Sequence, residues 1–596
     1  MGAIAGFFGS DLMKQDLTSA EKTLEKAGCR GIERLKDSRS LMLHSLMSGR
    51  DRGCSCLHGE IQGKTYGIVF SGKIYNEPEL QRELGDRAAA SNTAMLLLTA
   101  YHRWGESFVK MLNGVFSLAI LEQRTGRLFL ARDPMGGKPL FYHQSEGRFL
   151  FASSHKTILS VPGQNAELDA QGALELIMLS PGRKPDSGIL KGIRQLEPGC
   201  WAVYENGVLQ IRRYWQPEDG VLRDSFEEIS ANVRYLLEDA FHLQTRDLKK
   251  YGTFLSGGLD SSILSALAAR QQAPRRIRTF SVDYLHNDVY FTPGKFQPNS
   301  DSDYVQTMVD ALKSRHRNTV ITPEQLVEAL EDAASAREFP GMGDVDASLL
   351  IFCREVKKHV PVVFSGECAD EIFGGYPWYR DPELRGKEGF PWANNSGFRK
   401  GLLAFPGEEA EDFVMDCWRE TCASADIAPE TGEEDIRIKK LVMLNMRWFM
   451  QTLVERNTSM SGAAGLEIRV PFCDVRIADY LYRVPWAYKD WKGREKGLLR
   501  HAVSGLIPEV VRLRKKSPYP KTFDPRYGDL ITSLLQELLL KDAPVWHLIS
   551  RERIREILQK GTMEPFYGQL MRLPQFAAWV LQVNLWLEHD NVRFTF

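Results

Sequence analysis

The chain has 596 residues, of which 43 % are hydrophobic and 26 % are charged, and its formal net charge is -1 at pH 7. This length predicts two to four domains, and the balanced charge excludes a chain drawn as a whole to nucleic acid or to an anionic membrane surface. No apolar run predicts a membrane span and no secretory signal is visible, so we expect a cytoplasmic protein.

Nine cysteines are scattered along the chain, and Cys54 and Cys56 form the only close pair. A single pair of this spacing lacks the second pair of ligands that a zinc site needs, and the pattern does not indicate a disulfide framework. We therefore expect reduced thiols, as is usual in the cytosol.

The first third of the chain consists of short apolar runs separated by turns. These runs predict helices over residues 79–84 and 93–104 and strands over residues 66–71, 114–121, 127–131, 139–142 and 149–152. An antiparallel β-sandwich with flanking helices follows from this order of elements. Residues 214–220, which hold Trp, Pro and Gly close together, indicate a linker, so we place the domain boundary between residues 1–215 and 216–596.

Beyond the linker the pattern changes to longer helices that alternate with short apolar strands. A helix over residues 229–243 precedes a strand over 253–255, and further strands are predicted over 277–283 and 361–364. This alternation is typical of a doubly wound parallel sheet, whose ligands bind at the carboxyl ends of the strands.

The turn after the strand over residues 253–255 reads Ser256-Gly-Gly-Leu-Asp-Ser-Ser262 and leads into a helix over residues 263–270. Two consecutive glycines allow close approach of a ligand, and backbone amides at a helix N-terminus attract anions such as phosphate. Asp260 would repel phosphate unless a divalent cation lay between them, so the loop implies Mg²⁺. The loop lacks the lysine of a Walker A motif, which favours reactions that expel pyrophosphate and transfer AMP. A plain Gly-Gly turn between strand and helix is the alternative.

A second acidic turn follows the strand over residues 361–364 and reads Ser365-Gly-Glu-Cys-Ala-Asp-Glu371. Three carboxylates so close together need a cation or a substrate amine to balance them. We assign Asp370 as a second magnesium ligand and Glu367 as the group that binds the incoming amine or takes its proton. An acidic helix N-terminus, favoured by the helix dipole, is the alternative.

These motifs resemble the asparagine synthetase B family. The loop from Ser256 to Ser262 resembles the family's pyrophosphate loop, and the N-terminal third resembles its glutaminase domain in four segments. Those segments are Gly2-Ala-Ile-Ala-Gly-Phe-Phe8, Ser71-Gly-Lys-Ile-Tyr-Asn-Glu77, Leu130-Ala-Arg-Asp-Pro-Met-Gly-Gly-Lys-Pro-Leu140 and Phe151-Ala-Ser-Ser-His-Lys156. The resemblance implies an Ntn-type αββα glutaminase-like domain followed by an ATP-dependent PP-loop synthetase domain with a parallel sheet.

The resemblance also assigns further site residues. It implies pyrophosphate contacts from Ser256, Gly257, Gly258, Ser261 and Ser262, and adenine and ribose contacts from Leu255, Val282, Ser365 and Gly366. Lys496 matches the lysine that neutralises the adenylate and the tetrahedral oxyanion. Residues 456–460 and 465–474 resemble the family's substrate-side helix and turn. The basic segment over residues 512–521 either guards pyrophosphate, holds an acidic substrate or forms a solvated face, and the helical tail over 529–596 carries no assigned chemistry.

The chain departs from the family where glutamine would be hydrolysed. The family uses a cysteine exposed by removal of the initiator methionine, but this chain has Gly2, which cannot form the acyl-enzyme. The family's Asn-Gly-Glu segment is Ser71-Gly72-Lys73 here, and its Asp-Thr-Glu segment is Asn92-Thr93-Ala94. Loss of one oxyanion donor alone costs about two to three orders of magnitude in rate. We therefore expect an inactive glutaminase domain that survives as a structural unit.

An intact synthetase beside an inactive glutaminase predicts that the attacking amine does not come from glutamine. Relatives without the cysteine include β-lactam and carbapenam synthetases and the cyclases of lasso peptides. The β-lactam enzymes carry tyrosine where this chain has Glu367, which argues against that branch. The opening Gly2-Ala-Ile-Ala-Gly6 and a length near 600 residues resemble the lasso peptide cyclases most, so the resemblance favours a macrolactam synthetase. It implies a peptide or small carboxylate substrate and, as partners, a leader peptidase and a leader-binding protein. The alternatives are an asparagine synthetase that takes free ammonia, a small-ring synthetase and a non-catalytic scaffold.

Overall fold

The structure is a computed structural model that describes residues 2–9, 11–12, 15–25, 29–47, 55–85, 92–292, 300–568 and 571–596. Cys54, half of the close cysteine pair, lies outside these residues. The chain packs as two compact units. The first comprises Met1–Gly172, Lys184–Gln216 and Asp590–Phe596, and the second comprises Ala173–Arg183 and Pro217–His589. The chain passes from the first unit to the second at Gln216, near the boundary expected at residue 215. In addition, residues 173–183 before this point belong to the second unit, and residues 590–596 after it belong to the first.

The described residues form nineteen strands. They are β1 (Ile4–Phe8), β2 (Ile32–Lys36), β3 (Ser40–Ser45), β4 (Cys56–Ile61), β5 (Lys64–Ile74), β6 (Gly114–Glu122), β7 (Arg127–Arg132), β8 (Phe141–Ser145), β9 (Arg148–Ala152), β10 (Glu167–Leu168), β11 (Ile193–Gln195), β12 (Cys200–Glu205), β13 (Val208–Arg213), β14 (Gly252–Phe254), β15 (Arg278–Tyr284), β16 (Arg315–Ile321), β17 (Val362–Phe364), β18 (Glu467–Arg469) and β19 (Arg593–Phe594).

The α-helices of the described chain are mostly in its second unit. They are α1 (Thr18–Thr23), α2 (Glu77–Leu84), α3 (Thr93–Trp104), α4 (His155–Leu159), α5 (Ala170–Leu179), α6 (Phe226–Thr245), α7 (Leu259–Gln272), α8 (Asn287–Tyr290), α9 (Ser302–Leu312), α10 (Pro323–Glu328), α11 (Leu330–Arg337), α12 (Asp344–Lys357), α13 (Ala369–Phe373), α14 (Pro382–Gly386), α15 (Ser396–Lys400), α16 (Ala410–Ala423), α17 (Glu433–Leu444), α18 (Met450–Ala463), α19 (Val475–Arg483), α20 (Trp486–Lys489), α21 (Gly497–Ala502), α22 (Glu509–Arg512), α23 (Pro525–Leu539), α24 (Arg551–Lys560) and α25 (Leu573–His589).

The first unit is built on two six-stranded antiparallel sheets. One has the strand order β11-β8-β9-β1-β3-β2 and the other β13-β12-β7-β6-β5-β4. Apolar side chains of both sheets, such as Ile4 and Val69, share one buried cluster, while α2 and α3 pack on the outer face of the second sheet. The antiparallel sandwich with flanking helices predicted from the sequence is therefore confirmed. The predicted strand over residues 139–142 is wrong at its start, because β8 begins only at Phe141.

The motif from Leu130 to Leu140 forms a rigid turn after β7. Asp133 is buried and accepts hydrogen bonds from the backbone N–H groups of Phe116, Met135, Gly137 and Lys138 at 3.0–3.2 Å. Burial nevertheless raises the pKa of this carboxyl. In this unit the motif therefore has a structural role, since its carboxylate is used to order the loop.

The second unit contains a five-stranded sheet in the order β16-β15-β14-β17-β18, and every pair in it is parallel. The strand order reverses at β14, so the crevice beyond its carboxyl end is where this fold binds ligands. Helix α6 begins three residues before the predicted helix, because Ser225 and Glu228 form a reciprocal capping box at its N-terminus. The doubly wound domain predicted from the sequence is confirmed.

Among the residues that the structure describes, no helix combines the length and the apolar composition needed to cross a bilayer.

Candidate functional site

The glycine-rich loop lies between β14 and α7 in the second unit, beside a cavity of about 550 Å³. Of the loop residues that the sequence assigned to this site, the following line the cavity: Leu255, Ser256, Gly258, Asp260 and Ser261. Gly257 and Ser262 do not. Gly257 faces the backbone of Tyr304 and Val305, and Ser262 is fully buried within α7.

Two neighbouring strands supply the next part of the cavity. Val282 on β15 lines it as predicted, and Ser281 beside it donates a hydrogen bond to Asn318 on β16 at 2.9 Å and lies 3.0 Å from His316 Nε2. His316 and Asn318 also line the cavity. The sequence analysis missed them because β16 is a mostly exposed edge strand of polar residues, which gives no apolar signal.

Two carboxylates and two lysines converge at the end of β14 and β17. Lys496 Nζ lies 2.5 Å from Asp260 and 2.5 Å from Asp370, and Lys516 Nζ lies 2.5 Å from the other oxygen of Asp370. Burial alone would raise the pKa of Asp370, but the two lysines overcome it and hold that pKa at about 2. Burial raises the pKa of Asp260 in spite of Lys496. The two acidic loops, far apart in sequence, thus form one charged centre.

Two glycines make this convergence possible. A Cβ atom on Gly366 would lie 2.8 Å from Asp260 Cβ, and one on Gly375 would lie 1.9 Å from Asp370 Oδ1 and 2.4 Å from Lys496 Cε. Side chains at these positions would force the loops apart, which explains why both glycines flank the acidic turn.

Glu367 lies at the border of the charged centre, with 23 % of its side chain exposed. Its nearest cation is Arg456 on α18, at 3.8 Å, and Arg456 also contacts Asp346 at 3.5 Å and stacks over Tyr519 at 4.3 Å. Burial raises the pKa of Glu367 although Arg456 opposes the shift. A carboxylate with a raised pKa is suited to accept a proton from an amine near neutral pH.

The basic segment over residues 512–521 belongs to the site and is not a solvated face. Lys516 contacts Asp370 and lies over the ring of Tyr376 at 5.0 Å. Arg514 donates a hydrogen bond to the carbonyl oxygen of Ser256 at 3.3 Å and pairs with Asp301. The sequence left open whether this segment guards pyrophosphate, holds an acidic substrate or forms a solvated face. Its contacts favour a role beside the glycine-rich loop over residues 256–262.

Two residues of the site adopt left-handed backbone conformations. Cys368 has a φ of 71° and Lys496 a φ of 55°, and non-glycine residues in this region are concentrated at functional sites. Cys368 is joined by a disulfide to Cys473, 105 residues further along the chain. The expectation of reduced thiols throughout is therefore wrong at this pair. The parallel neighbours β17 and β18 bring the two cysteines together, and their spacing in the sequence gave no signal.

The charged centre fits a magnesium ion. Mg²⁺ is commonly bound through one or two carboxylates together with substrate phosphates. Asp260 and Asp370 supply two such carboxylates, and Asp260 Oδ1 is buried without a hydrogen-bond partner among the described residues. No cluster of three or more His, Cys, Asp or Glu residues suited to a metal occurs in the described ranges. When the carboxylates are not both paired with Lys496, they would hold an ion that the phosphates of a bound nucleotide also ligate.

The first unit shows what surrounds position 2. The carbonyl oxygen of Gly2 accepts a hydrogen bond from Ser71 at 2.5 Å, and Ala3 N–H donates to Ser45 Oγ at 2.7 Å. A Cβ atom on Gly2 would lie 2.1 Å from the carbonyl oxygen of Ser45 and 2.5 Å from the ring of His44. Asn92, at the family's substrate-binding segment, caps α3 by accepting from Met95 N–H. No room for a side chain exists at position 2 in this backbone.

A phosphate-binding loop at the switch point of a parallel sheet, facing two carboxylates, defines a nucleotide-binding α/β domain. The asparagine synthase family matches residues 232–588, and the glutamine amidotransferase domain family matches residues 1–215. The chain therefore belongs to the asparagine synthetase family. It is an ATP-dependent, AMP-forming carbon–nitrogen ligase by that membership.

Curated relatives agree. The chain is 39 % identical over 541 residues to asparagine synthetase [glutamine-hydrolyzing] 3 of Bacillus subtilis, covering 88 % of each chain. It is 29 % identical over 499 residues to a putative asparagine synthetase of Mycobacterium bovis, covering 76 % of this chain and 74 % of the relative.

Solved structures are more distant. Glutamine phosphoribosylpyrophosphate amidotransferase of B. subtilis has a TM-score of 0.27 at 14 % identity, and the match covers 53 % of this chain and 81 % of that one. NMN synthetase of Francisella tularensis has a TM-score of 0.19 at 14 % identity, covering 38 % of this chain and 93 % of that one.

Proposed function

We propose that the chain is a macrolactam synthetase. It adenylates the side chain of an Asp or Glu in a precursor peptide, releases pyrophosphate, and joins the activated carbonyl to the N-terminal amine of the same peptide. The observation that carries this proposal is Gly2, which stands where the family's nucleophilic cysteine would be and has no space for a side chain.

An acyl-enzyme cannot form without a nucleophile, so glutamine cannot supply the amine through this unit. The second unit, in contrast, has around one cavity the four charged residues that the resemblance assigns to the synthetase reaction: Asp260, Glu367, Asp370 and Lys496. The amine must then be part of a substrate that reaches the second unit directly.

In the first step, a carboxylate oxygen of the substrate attacks the α-phosphorus of ATP, and the bond to the pyrophosphate leaving group breaks. Backbone amides of the loop over residues 256–258 and Lys516 would stabilise the charge on the leaving group. Asp260 and Asp370 would hold Mg²⁺, which neutralises phosphate charge when it is bound. Lys496 lies between these two carboxylates and would stabilise the adenylate.

In the second step, the amine attacks the acyl carbon, and AMP leaves. Glu367 takes the proton that the amine loses, a role for which its raised pKa suits it. Lys496 donates hydrogen bonds to the oxyanion of the tetrahedral intermediate, the kind of contact that contributes about two to three orders of magnitude in rate. Holding both ends of one peptide in contact is mainly a problem of orientation, which can supply roughly 7–11 kcal/mol of barrier reduction.

A peptide substrate of this kind implies partners. A leader peptidase would free the N-terminal amine, and a leader-binding protein would deliver the precursor. We place the reaction in the cytoplasm, where ATP and precursor peptides are made.

An asparagine synthetase that uses free ammonia is the second candidate. It is favoured by the 39 % identity to a relative named as an asparagine synthetase, and by Glu367, which resembles the residue of asparagine-forming members. The same residue disfavours a small-ring synthetase of the β-lactam type.

Pyrophosphate release separates these candidates. Purified protein with ATP and Mg²⁺ is given either linear peptides that carry a free N-terminal amine and an internal Asp or Glu, or aspartate with ammonium chloride. The proposal expects peptide-dependent pyrophosphate and a product lighter by one water. Asparagine formed at a higher kcat/KM would establish the second candidate, and glutamate released from glutamine in step with product would refute both. Asp260→Ala should abolish turnover in either case, whereas a scaffold protein would bind its partner unchanged.

A further inference from the structure

A second cavity in the second unit, which we call the basic cavity, has a volume of about 280 Å³. Among the nine described residues that line it are Lys492, Arg494, Arg500 and Arg512, and none of the nine is Asp or Glu. Arg500 also lines the larger cavity that contains the charged centre, so the two cavities share part of one wall. Such a concentration of one sign of charge around a concave surface attracts anions.

Two of the four cations are paired and form a fixed part of this wall. Arg500 Nη2 lies 2.8 Å from Glu495 Oε1, and Arg512 Nε lies 2.7 Å from Glu509 Oε2. The two arginines also bind each other's backbone, because each donates a hydrogen bond to the carbonyl oxygen of the other. These contacts join α21 to α22 and keep both guanidinium groups beside the cavity.

The other two cations, Lys492 and Arg494, are exposed and make no ion pair within the described parts of the chain. Burial lowers the pKa of Arg500, Glu495 opposes this shift, and the like charge of Arg494 adds to it. Arg494 is therefore close enough to Arg500 for the two guanidinium groups to repel each other. An anion bound beside them would relieve this repulsion.

The loop that carries Lys492 and Arg494 is fixed at both ends. Trp491 stacks on Phe226 with ring centroids 4.0 Å apart. At the other end, a Cβ atom on Gly497 would lie 2.4 Å from the carbonyl oxygen of Trp491, so the backbone closes tightly there. A loop held in this way presents its cations at a small ordering cost when a ligand binds.

Size and charge decide which anion fits. Pockets for drug-sized molecules measure roughly 300–1,000 Å³, so a cavity of about 280 Å³ suits a small anion better than a nucleotide or a peptide. Arginine forks bind phosphoryl oxygens through paired N–H···O bonds. The magnesium complex of pyrophosphate carries two negative charges, which match the two unpaired cations, and pyrophosphate is the product that AMP-forming ligases release.

We propose that the basic cavity is a second anion site, which binds pyrophosphate through Lys492 and Arg494 after the pyrophosphate has been released from ATP. The inference does not depend on the identity of the attacking amine, because the AMP-forming reaction releases pyrophosphate in either candidate function. Free phosphate offers the same phosphoryl oxygens, so the experiment compares the two anions.

Calorimetric titration of the full chain tests this site. The larger cavity is first saturated with α,β-methylene-ATP and excess Mg²⁺, and pyrophosphate or inorganic phosphate is then added at constant ionic strength. The test protein is the double variant Lys492→Gln with Arg494→Gln. The matched control is Lys249→Gln with Lys250→Gln, which removes two exposed cations that line neither cavity.

We expect the wild type and the control to bind pyrophosphate equally well, and the test variant to bind it at least about a hundredfold more weakly, because two charge-assisted contacts are lost. Arg494→Lys, which keeps the charge but loses the fork, should retain part of the affinity. Phosphate, with fewer oxygens, should bind wild type at least about tenfold more weakly than pyrophosphate.

Equal pyrophosphate affinity in the test and control variants would overturn the site, as would the absence of binding to the wild type. Phosphate that binds as tightly as pyrophosphate and is lost in the test variant would overturn pyrophosphate as the ligand. Because all four substituted residues are exposed, both double variants should melt at the wild-type temperature. Each of these results leaves the macrolactam proposal standing, since that proposal is tested by peptide-dependent pyrophosphate release.

Discussion

At the scale of single residues, two glycines without a Cβ atom allow the loops that carry Asp260 and Asp370 to approach each other closely. Gly366 lies against Asp260, and Gly375 lies against both Asp370 and Lys496, so the charged centre can close only because neither position carries a Cβ atom. Lys496 holds its contact with both carboxylates from a left-handed backbone conformation. The geometry is thus restricted at each of the loops that form the centre.

Gly366→Ala should separate these loops. The added methyl group would lie 2.8 Å from Asp260 Cβ and 3.2 Å from Asp260 C, so one of the two loops has to move. We expect a loss of at least about a hundredfold in ATP-dependent pyrophosphate release, comparable to removal of one catalytic donor, with the melting temperature changed little. Gly386→Ala is the control, because a Cβ atom at Gly386 meets nothing within 4 Å. Equal activity of the two variants would contradict the role of close approach.

The sequence predicted the site residues that follow glycine-rich turns, whereas it marked the segments over residues 456–460 and 512–521 without assigning a contact to Arg456 or Lys516. Asp260, Glu367 and Asp370 follow glycine-rich turns after apolar strands, and the structure brings all three to one cavity. Arg456 and Lys516 come from segments without such a pattern, so their contacts with Glu367 and Asp370 depend on tertiary packing. Trp378 belongs to no segment that the sequence singled out, although it lines the cavity.

At the scale of secondary-structure elements, the short helix α20 carries an unusual buried charge. Lys489 at its end is 3 % exposed, and burial lowers its pKa to about 7. Lys439 lowers this pKa further, whereas Asp435 and Asp219 oppose the shift. Lys439 Nζ lies 2.7 Å from Asp219 Oδ1, so the carboxylate of Asp219 is already paired with another lysine.

Lys489→Met should therefore stabilise the protein. The unfolded lysine has a pKa near 10.5 and the folded one a pKa of about 7, so the unfolded state binds more protons between these values. The stability of the wild type then rises with pH across this window, and the cost of the buried charge is fully present below pH 7. We expect the variant to gain roughly 2–5 kcal/mol in the free energy of unfolding at pH 6.5, and less as the pH approaches 10.

Urea denaturation at several pH values measures this gain, with Lys541→Met, an exposed substitution, as the control. A Lys489→Met variant that is less stable than the wild type at pH 6.5 would show that the ammonium group contributes more through Asp435 and Asp219 than its burial costs.

Elements with a strong apolar pattern were predicted well, and polar ones were not. The predicted helix over residues 93–104 coincides with α3, and the strands that became β6, β7 and β15 were placed within about one or two residues. Strand β16 was missed because its side chains are mostly exposed, and β18 because two of its three residues, Glu467 and Arg469, are charged. These two strands are the edges of the parallel sheet, where burial on both faces is not required.

At the scale of the whole molecule, the two units differ in how much space they leave around the positions where their families' chemistry takes place. The second has a cavity lined by convergent charged side chains. The first has a backbone that hydrogen bonds closely around Gly2 through Ser45 and Ser71. Its two six-stranded sheets pack around buried apolar clusters, so the expectation that glutaminase activity is lost depends on a few positions, among them Gly2.

Gly2→Cys should not create a glutaminase. The new Cβ atom would lie 2.1 Å from the carbonyl oxygen of Ser45, and Lys73 and Asn92 occupy the family's substrate-binding positions. We expect no glutamate release from glutamine above the buffer rate, measured by chromatography after mass spectrometry has verified loss of Met1. Glutamate release that saturates with glutamine would contradict this expectation.

Deletion of residues 590–596 should weaken the first unit. Asp590 contacts the buried His155 at 3.1 Å and Lys156 at 3.2 Å, and β19 pairs with β10. We expect faster limited proteolysis within residues 155–172 in the truncated protein, because a buried histidine loses its carboxylate partner and a strand edge is exposed. Phe596→Ala, at an exposed position, is the control and should digest like the wild type. Identical digestion of all three proteins would contradict the role of this segment.

The position of that segment also bears on how the protein is made. A ribosome that has finished Gln216 must still translate the residues up to Asp590 before the partner of His155 exists, which takes about 20–75 s at roughly 5–20 residues per second. During this interval strand β10 of the nascent first unit lacks its partner β19, and His155 lacks the carboxylate of Asp590. The first unit's last folding step therefore follows synthesis of the second unit, and its incomplete form is the species that chaperones would meet.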